Sequence, residues 1–361
     1  MPRPGPRARA IAVAAALLLA ATAPGAGDEL APVVPGKPLV FPRDFGAHPR
    51  FRIEWWYVTG QLESEGGTLG FQVTFFRLSN PAAEDNPSRF SPRQLLFAHV
   101  ALADPARGRF LHDQRAERAY DGLVAAETAN TGVRIDDWSL VREAAAYRAR
   151  IAAAGFGLDL SLQPTQPVLL EGDKGFSRKG PSAAQASYYY SEPQLRVEGT
   201  VSVGGAVRAV HGLAWLDHEW SSELLAPEAV GWDWVGANLD DGGALMAFRI
   251  RDKDGSVLWA QATLRAPGGP AESYGEKDVR FDVRRSWTSP RTGVRYPVSM
   301  TLRVDGREWT LEPLMDDQEL DARRSTGTLY WEGAVRLREA GGAAGRGYLE
   351  LTGYGARVSL R

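Results

Sequence analysis

The chain of 361 residues contains no cysteine. This absence excludes disulfide bonds, thiolate metal sites, a cysteine nucleophile and lipid attachment through a lipoprotein cysteine. Stability must therefore come from packing, for which eleven Trp, thirteen Phe and eleven Tyr provide large apolar surfaces.

The sequence also lacks an excess of either charge, because 42 basic and 44 acidic residues give a net charge of −2. We therefore expect neither nucleic acid nor an anionic membrane surface as a partner. Residues 1–27 combine an arginine-bearing start with an apolar stretch from Ala10 to Ala21 and small residues after it. This pattern predicts a cleaved signal peptide and hence a periplasmic or secreted protein. No later stretch reaches the length of a membrane helix, so we expect no stable membrane span.

Several motifs of catalysis are missing as well. The sequence has no Gly-x-Ser-x-Gly elbow, phosphate-binding loop or dinucleotide fingerprint. His218-Glu219 begins like the zinc-protease motif, but the second histidine is absent and the surroundings are those of a strand. A metal held by His211, His218 and Glu219 is left open, although strand geometry puts the two histidines on opposite faces. We predict neither a cofactor nor a metal.

What the sequence does contain is a recurring order of strand, turn and strand. The runs RIEWWYVTGQL and TLGFQVTFFRL flank one glycine turn, and WDWVGANL and ALMAFRIR flank another. Aromatic and β-branched runs around such turns predict antiparallel hairpins. Because long sheets avoid open edges by curling, we predict an all-β fold of barrels or sandwiches.

Two internal echoes indicate a duplication. Trp55-x-Tyr57-Val58-x-x-Gln61-Leu62 is matched by Trp232-x-Trp234-Val235-x-x-Asn238-Leu239. Val197-Glu198-Gly199-x-Val201, followed by GLAWL, is matched by Trp331-Glu332-Gly333-x-Val335, followed by GYLEL. We therefore predict two related β domains, at 45–222 and 223–361, that pack together.

The stretch LAWLDHEWSS, residues 213–222, concentrates ionisable groups inside a strand pattern. Alternation puts His218 and Trp220 on one face and Asp217 and Glu219 on the other, and both faces carry large apolar groups. Buried ionisable groups need partners or shifted pKa values, and such groups in clefts are candidates for a site. The alternative is that they cap a strand end and bond neighbouring backbone.

Aromatic residues surround this stretch in the sequence or through the duplication. Together they form an elongated apolar pocket in our prediction, with Tyr hydroxyl and Trp indole groups to orient a ligand. Taken singly, each is more typical of a core than of a ligand pocket. The candidates for substrate binding are Trp55, Trp56, Tyr57, Tyr188, Tyr190, Trp220, Trp232 and Trp234, and Tyr189 completes the YYY run.

The succession HPRFRIEWWYVTG, GFQVTFFR, RIDDWSL, GDKGFSRKG, SYYYSEPQLRVEGTV, AWLDHEWSS, GWDWVGANLDDG, YWEGAV and GYLELTGY resembles the AttH-domain proteins. These are lipocalin-like relatives of the carotenoid 1,2-hydratases and are often catalogued as secreted hydrolases. The resemblance covers roughly residues 45–355. It implies two lipocalin-like β domains and a ligand cavity at or between them.

The resemblance also implies an activity, because similar proteins hydrate an alkene without a cofactor or guide pericyclic cyclisations. The hydratases use a His-x-Trp pair, which His218-Glu219-Trp220 fits, and an acid downstream, for which Asp233, Asp240 and Asp241 are candidates. The predicted export signal argues against a carotenoid substrate, since carotenoid hydratases act at the cytoplasmic side.

We therefore expect an exported protein that binds an apolar, isoprenoid or lipid-like molecule and hydrates an alkene. Asp217 or Asp233 is the candidate acid, His218 the base, and Trp220 and Trp232 the rings that stabilise a cation. Glu219 completes the set of candidate catalytic residues. The alternatives are a non-catalytic carrier that uses the same cavity, and a hydrolase, for which no nucleophile is recognised.

Overall fold

The computed structural model describes residues 30–358, except for 81, 82, 84, 85, 87, 89, 90 and 121. The predicted signal peptide, 1–27, lies outside the described residues. The described chain is almost entirely antiparallel β-structure, which confirms the predicted fold class. Within it we find no helix with the length and apolar character of a membrane span.

The first sheet contains thirteen strands from the described N-terminal part. They are β1 (Ile53–Ser64), β2 (Gly67–Ser79), β3 (Gln94–Asp104), β4 (Arg109–Arg118), β5 (Val124–Ala126), β6 (Gly132–Ile135), β7 (Trp138–Glu143), β8 (Ala146–Ala153), β9 (Phe156–Gln163), β10 (Leu169–Leu170), β11 (Phe176–Arg178), β12 (Ala186–Val203) and β13 (Ala206–Ser221). The second sheet contains ten, namely β14 (Gly231–Leu239), β15 (Ala244–Arg251), β16 (Val257–Arg265), β17 (Ala271–Tyr274), β18 (Val279–Thr288), β19 (Arg295–Val304), β20 (Arg307–Pro313), β21 (Glu319–Ala322), β22 (Thr328–Glu339) and β23 (Gly342–Leu351). Short 3-10 turns lie at Arg43–Phe45, before β1, and at Pro105–Arg107, between β3 and β4.

The two sheets have the same strand order. The first runs β4-β3-β2-β1-β13-β12-β9-β8-β7 before its last two strands, and the second runs β17-β16-β15-β14-β23-β22-β20-β19-β18. The echoed sequences therefore occupy equivalent strands, as a duplication predicts. The sheets divide between Ser221 and Gly231, while the finer limits of the two domains stay a prediction.

Each sheet covers its own apolar core, and the two sheets meet through their outward faces. The first core also takes up Val33, Phe45 and Phe51 from the segment that precedes β1. The second core is built on strands β14 to β23. A third cluster, with Tyr57 and Trp234 among its members, lies between the sheets. A strand such as β1 or β13 is therefore buried on both faces, which explains why both faces of its sequence are apolar.

The echoed polar residues join the two sheets reciprocally. Gln61 on β1 donates from Nε2 to the carbonyl oxygen of Val335, at 2.8 Å. Its counterpart Asn238 on β14 donates from Nδ2 to the carbonyl oxygen of Ala214, at 3.0 Å, and accepts from the backbone N–H of Gln194, at 2.7 Å. The echoed positions thus hold one amide on each sheet that bonds the backbone of the other.

Candidate functional site

The predicted alternation along LAWLDHEWSS is confirmed, and it divides the candidate residues between two compartments. His218 is fully buried within the first sheet's interior, where Trp220 also packs in the core. Asp217 and Glu219 point the other way and line a cavity between the two sheets. Because successive strand residues face opposite sides, these neighbours cannot share one compartment.

His218 belongs to a hydrogen-bond network centred on Glu54. Its Nε2 lies 2.8 Å from Glu54 Oε1, and its Nδ1 lies 3.0 Å from the hydroxyl of Tyr190. The ring stacks on Trp56, with centroids 4.6 Å apart. Burial lowers the pKa of His218 to about 4, so the ring is neutral at ordinary pH. The arrangement gives His218 a structural environment away from the cavity.

The same network contains one cluster of metal-ligand type. The ligand atoms of His48, Glu54 and His218 lie within 4.8 Å of one another. Glu54 Oε1 contacts both imidazoles, however, and Oε2 accepts from Arg77 Nε at 2.7 Å. Hydrogen bonds to the two histidines and the charge of Arg77 outweigh burial and hold the pKa of Glu54 well below its usual range. A cation here would have to displace a guanidinium group, so we interpret the cluster as a hydrogen-bonded ion network.

Four of the predicted substrate-binding residues lie with His218 rather than at the cavity. Trp56, Tyr188, Tyr190 and Trp220 are buried in the first core. Tyr188 exchanges hydrogen bonds with the backbone of Val34, which fixes the segment before β1. The expectation of a single chamber for the imidazole and all the indoles is therefore corrected, because these side chains occupy the inward positions of β1, β12 and β13.

The cavity between the sheets has a volume of about 390 Å³. Trp55 and Tyr57 from β1 and their repeat counterparts Trp232 and Trp234 from β14 all contribute to its lining. The other large apolar or aromatic lining residues are Ile53, Phe76, Leu78, Leu95, Phe97, Leu224, Leu225, Phe248, Ile250, Leu329, Tyr330 and Val358. Four predicted residues thus meet at one apolar cavity, at the low end of the roughly 300–1,000 Å³ typical of ligand sites.

Asp217 is the most completely bonded acid of this cavity. Oδ1 accepts from Ser191 and from the indole of Trp215, both at 2.6 Å, and Oδ2 accepts from the hydroxyl of Tyr189 at 2.8 Å. Burial raises the pKa of Asp217 to about 7 against these hydrogen bonds, which act to lower it. The carboxyl is therefore poised to hold or release a proton near neutral pH.

A second buried acid is connected to Asp217 through Ser191. The serine Oγ lies 2.8 Å from Oε1 of Glu171 as well as 2.6 Å from Asp217. A hydroxyl has one hydrogen to donate, so one of the two carboxyl groups must carry a proton and donate to the serine. Burial raises the pKa of Glu171 to about 8 and that of Asp217 to about 7, so near neutral pH the proton can pass between the two carboxyl groups through Ser191.

Glu219 is neutralised by the buried ammonium group of Lys179. The two groups are 2.9 Å apart, and Ser187 donates to the same carboxylate oxygen. The ammonium also lies 4.1 Å from the ring centre of Phe248 and 4.7 Å from that of Tyr189. Cation and carboxylate together give the cavity one polar wall without an unpaired charge.

Asp233 faces the second core and does not line the cavity. Its carboxylate accepts from Arg249 at 2.6 Å, from Arg251 at 3.1 Å and from the hydroxyl of Tyr354 at 2.9 Å. The alternation that brings Trp232 and Trp234 to the cavity turns Asp233 away from it, so its expected role as an acid at this cavity is corrected. Asp240 and Asp241, the other downstream candidates, lie exposed in the turn after β14.

Several cavity residues were not singled out from the sequence, above all Glu332, Glu350, His99 and Tyr330. Glu350 interrupts GYLEL and Glu332 interrupts YWEGAV, both within strands whose two faces are apolar. A carboxyl in such a strand is the same signal that drew attention to Asp217. The same sequence signal could have identified Glu332 and Glu350 as candidate site residues.

A serine and a histidine meet at the edge of the cavity, which bears on the hydrolase alternative. Ser325 Oγ lies 2.8 Å from Nε2 of His99, and His99 Nδ1 contacts the hydroxyl of Tyr330. Gln114 donates its amide N–H to the backbone of Asp321, which leaves its oxygen to accept the Ser325 proton at 2.7 Å. His99 then donates to Ser325 instead of accepting from it. Burial lowers the pKa of His99 to about 3, so this imidazole is also a weak base.

A family model described as AttH-like matches residues 32–354 of the chain. A solved protein from Nitrosomonas europaea, assigned as an AttH, is 55% identical over 90% of this chain and 100% of that chain, with a TM-score of 0.85. Kievitone hydratase from Nectria haematococca is 15% identical over 88% of this chain and 93% of its own, with a TM-score of 0.68. CghA is 13% identical over 87% and 90%, with a TM-score of 0.52. The last two likenesses show a common fold, and no curated protein matches the chain significantly.

Proposed function

The chain belongs to the AttH-like family, and we propose that it binds an apolar, isoprenoid-like molecule between its two sheets and adds water to an alkene of that molecule. The observation that carries this proposal is the placement of Asp217 in an aromatic-walled cavity. Burial there raises its pKa to about 7, so an acid is available at neutral pH. The shared fold with a protein named kievitone hydratase supports the same chemistry.

The proposed reaction needs no group beyond the side chains and water. Asp217 transfers its proton to one alkene carbon, whose π electrons form the new C–H bond and leave a cation on the neighbouring carbon. The rings of Trp55, Trp232 and Trp234 stabilise that cation by about 0.5–2 kcal/mol each. Water then attacks the cation, forms the C–O bond and loses a proton to a carboxylate, which yields an alcohol.

The volume of the cavity limits the substrate. At about 390 Å³ it suits a compact isoprenoid or a prenyl side chain better than a complete carotenoid. The predicted export of the protein favours the same conclusion, because it separates the protein from pigment synthesis. The proposed substrate is therefore a small, apolar alkene that the protein meets outside the cytoplasm.

Incubation with farnesol in heavy water tests the proposal directly. We expect a new tertiary alcohol with deuterium on the adjacent carbon, and we expect Asp217→Asn to reduce its formation by at least about 100-fold, as loss of a general acid typically does. Asp254→Asn, at an exposed turn residue, is the matched control. Equal formation of labelled alcohol by Asp217→Asn would contradict the assignment of the acid.

A carrier function would use the same cavity, but the ligand would leave it chemically unchanged. Native mass spectrometry of the purified protein distinguishes the two, because a carrier retains a ligand of unchanged mass. Hydrolysis is not proposed, since the Ser325 proton is directed to Gln114 and His99 donates to the serine. For ester hydrolysis, Ser325 would have to donate its proton to His99 rather than to Gln114, and His99 would have to accept it.

A further inference from the structure

Two carboxyl groups on the second sheet face each other across neighbouring strands. Glu332 on β22 is directly paired in register with Glu350 on β23, and both line the cavity. Like charges in directly opposite positions destabilise a sheet. Within the described residues, neither glutamate forms an ion pair with a basic side chain.

Unsatisfied polar atoms lie beside this pair. Oε2 of Glu332, a residue that is 3% exposed, has no hydrogen-bond partner, and neither has the hydroxyl of Tyr57, which is 5% exposed. Leaving such groups buried and unbonded costs free energy. Both residues line the cavity, so a hydroxyl group or water bound there satisfies an acceptor and a donor at once.

Resting on the proposed function, we propose that Glu332 and Glu350 share one proton and that Glu350 is the base that takes a proton from the attacking water. Asp217 belongs to the first sheet and the glutamate pair to the second, so acid and base stand on facing walls. Asp217 gives a proton to carbon, water forms the C–O bond, and Glu350 receives the proton that water loses. The pair then returns one proton to Asp217, which restores the starting state.

The side chains around the pair determine which glutamate holds the shared proton and which acts as the base. The side chain of Trp232 lowers the pKa of Glu350 against the rise that burial causes, which favours the negative charge on Glu350 and leaves the shared proton to Glu332. Burial raises the pKa of both groups; the charge of Glu350 adds to the rise at Glu332, and the charges of Asp217, Glu219 and Asp233 add to the rise at Glu350. The titratable side chains that interact electrostatically with the pair from the surrounding elements are Tyr57, Asp217, Glu219, Asp233, Tyr330 and Tyr348.

The first test requires no substrate. Infrared spectra near neutral pH report buried protonated carboxyl groups, and Asp217→Asn identifies the band of Asp217. We expect Glu332→Gln and Glu350→Gln each to remove or shift a further band. Glu198→Gln is the matched control, because Glu198 is the exposed repeat counterpart of Glu332. Spectra that are unchanged in both cavity variants would overturn the shared proton.

The second test uses farnesol in heavy water. We expect Glu350→Gln to form alcohol at least about 100-fold more slowly but still to exchange deuterium into recovered farnesol, because protonation by Asp217 remains. Asp217→Asn should lose both signals. Alcohol formation at the wild-type rate by Glu350→Gln would overturn the proposed base, whereas a wild-type protein that forms no alcohol would instead contradict the proposed function. Thermal melting verifies folding, and Glu332→Gln carries the test if Glu350→Gln does not fold.

Discussion

Asp217 and His218 are neighbours in the chain, and burial moves their pKa values in opposite directions. It raises the pKa of Asp217 to about 7 and lowers that of His218 to about 4. Both shifts favour the neutral form, because a low-dielectric surrounding penalises charge of either sign. A strand can therefore bury both residues, provided that each finds hydrogen-bond partners.

The pKa of Asp217 predicts a pH dependence of stability. The folded carboxyl titrates at about 7 and the unfolded one at about 4, so between these pH values the folded state binds an extra proton. The contribution of Asp217 to the free energy of unfolding therefore falls as pH rises through this window, with a limiting slope of about 1.4 kcal/mol per pH unit. We expect the free energy of unfolding of wild type minus that of Asp217→Asn to decrease as pH rises from about 4 to about 7, the pKa values of the unfolded and folded carboxyl. Urea titrations across the range measure it, and a constant difference would contradict the shift.

Replacement of His218 separates a structural role from a role at the cavity. His218→Ala removes a partner of buried Glu54 and a ring stacked on Trp56, so we expect a loss of about 3 kcal/mol in unfolding free energy. We expect the affinity of the folded variant for farnesol to stay unchanged, as measured by calorimetry. His211→Ala, at an exposed residue of the same strand, is the control. A specific loss of binding would instead connect His218 to the cavity.

At the scale of the strands, the sequence predicts the features that depend on neighbouring residues but not the contacts between distant parts of the chain. The alternation on β13 and the hairpins around the glycine turns were predictable, because side-chain direction and turn geometry depend on adjacent residues. Which outward faces meet depends on the docking of two sheets, which no local pattern encodes. Trp55 and Trp56 are adjacent and equally apolar, yet only Trp55 reaches the cavity. Glu332 and Glu350 became a pair only once β22 and β23 were in register.

The contact between β2 and β22 depends on a glycine. A Cβ atom on Gly70 would lie 2.7 Å from the Cβ of Ala334 on the other sheet. We expect Gly70→Ala to push the sheets apart locally and to lower the unfolding free energy by about 1–3 kcal/mol, as overpacking does. Chemical denaturation measures this loss. Gly275→Ala introduces the same methyl group into open space and should be neutral; equal stability of both variants would show that the sheets yield without cost.

At the scale of the whole molecule, the two sheets depend on one another. The apolar cluster between them includes Tyr57, Trp215, Trp234, Met246 and Phe248, which separation would expose to water. We expect residues 30–222 and 223–361, produced apart, to aggregate or stay unfolded, because an apolar face of this kind promotes association. The intact protein should unfold in a single transition by both near- and far-UV circular dichroism. A dispersed NMR spectrum from either half alone would show that the half is independently stable.

The walls of the cavity belong to the outer surfaces of two β-structures, each of which retains a filled interior of its own. Substitutions at the wall positions therefore alter what the molecule accommodates while the residues that stabilise each interior stay the same. Ligand preference and the packing of each interior therefore depend on alternate residues of the same strands, so one wall position can change while both interiors keep their residues.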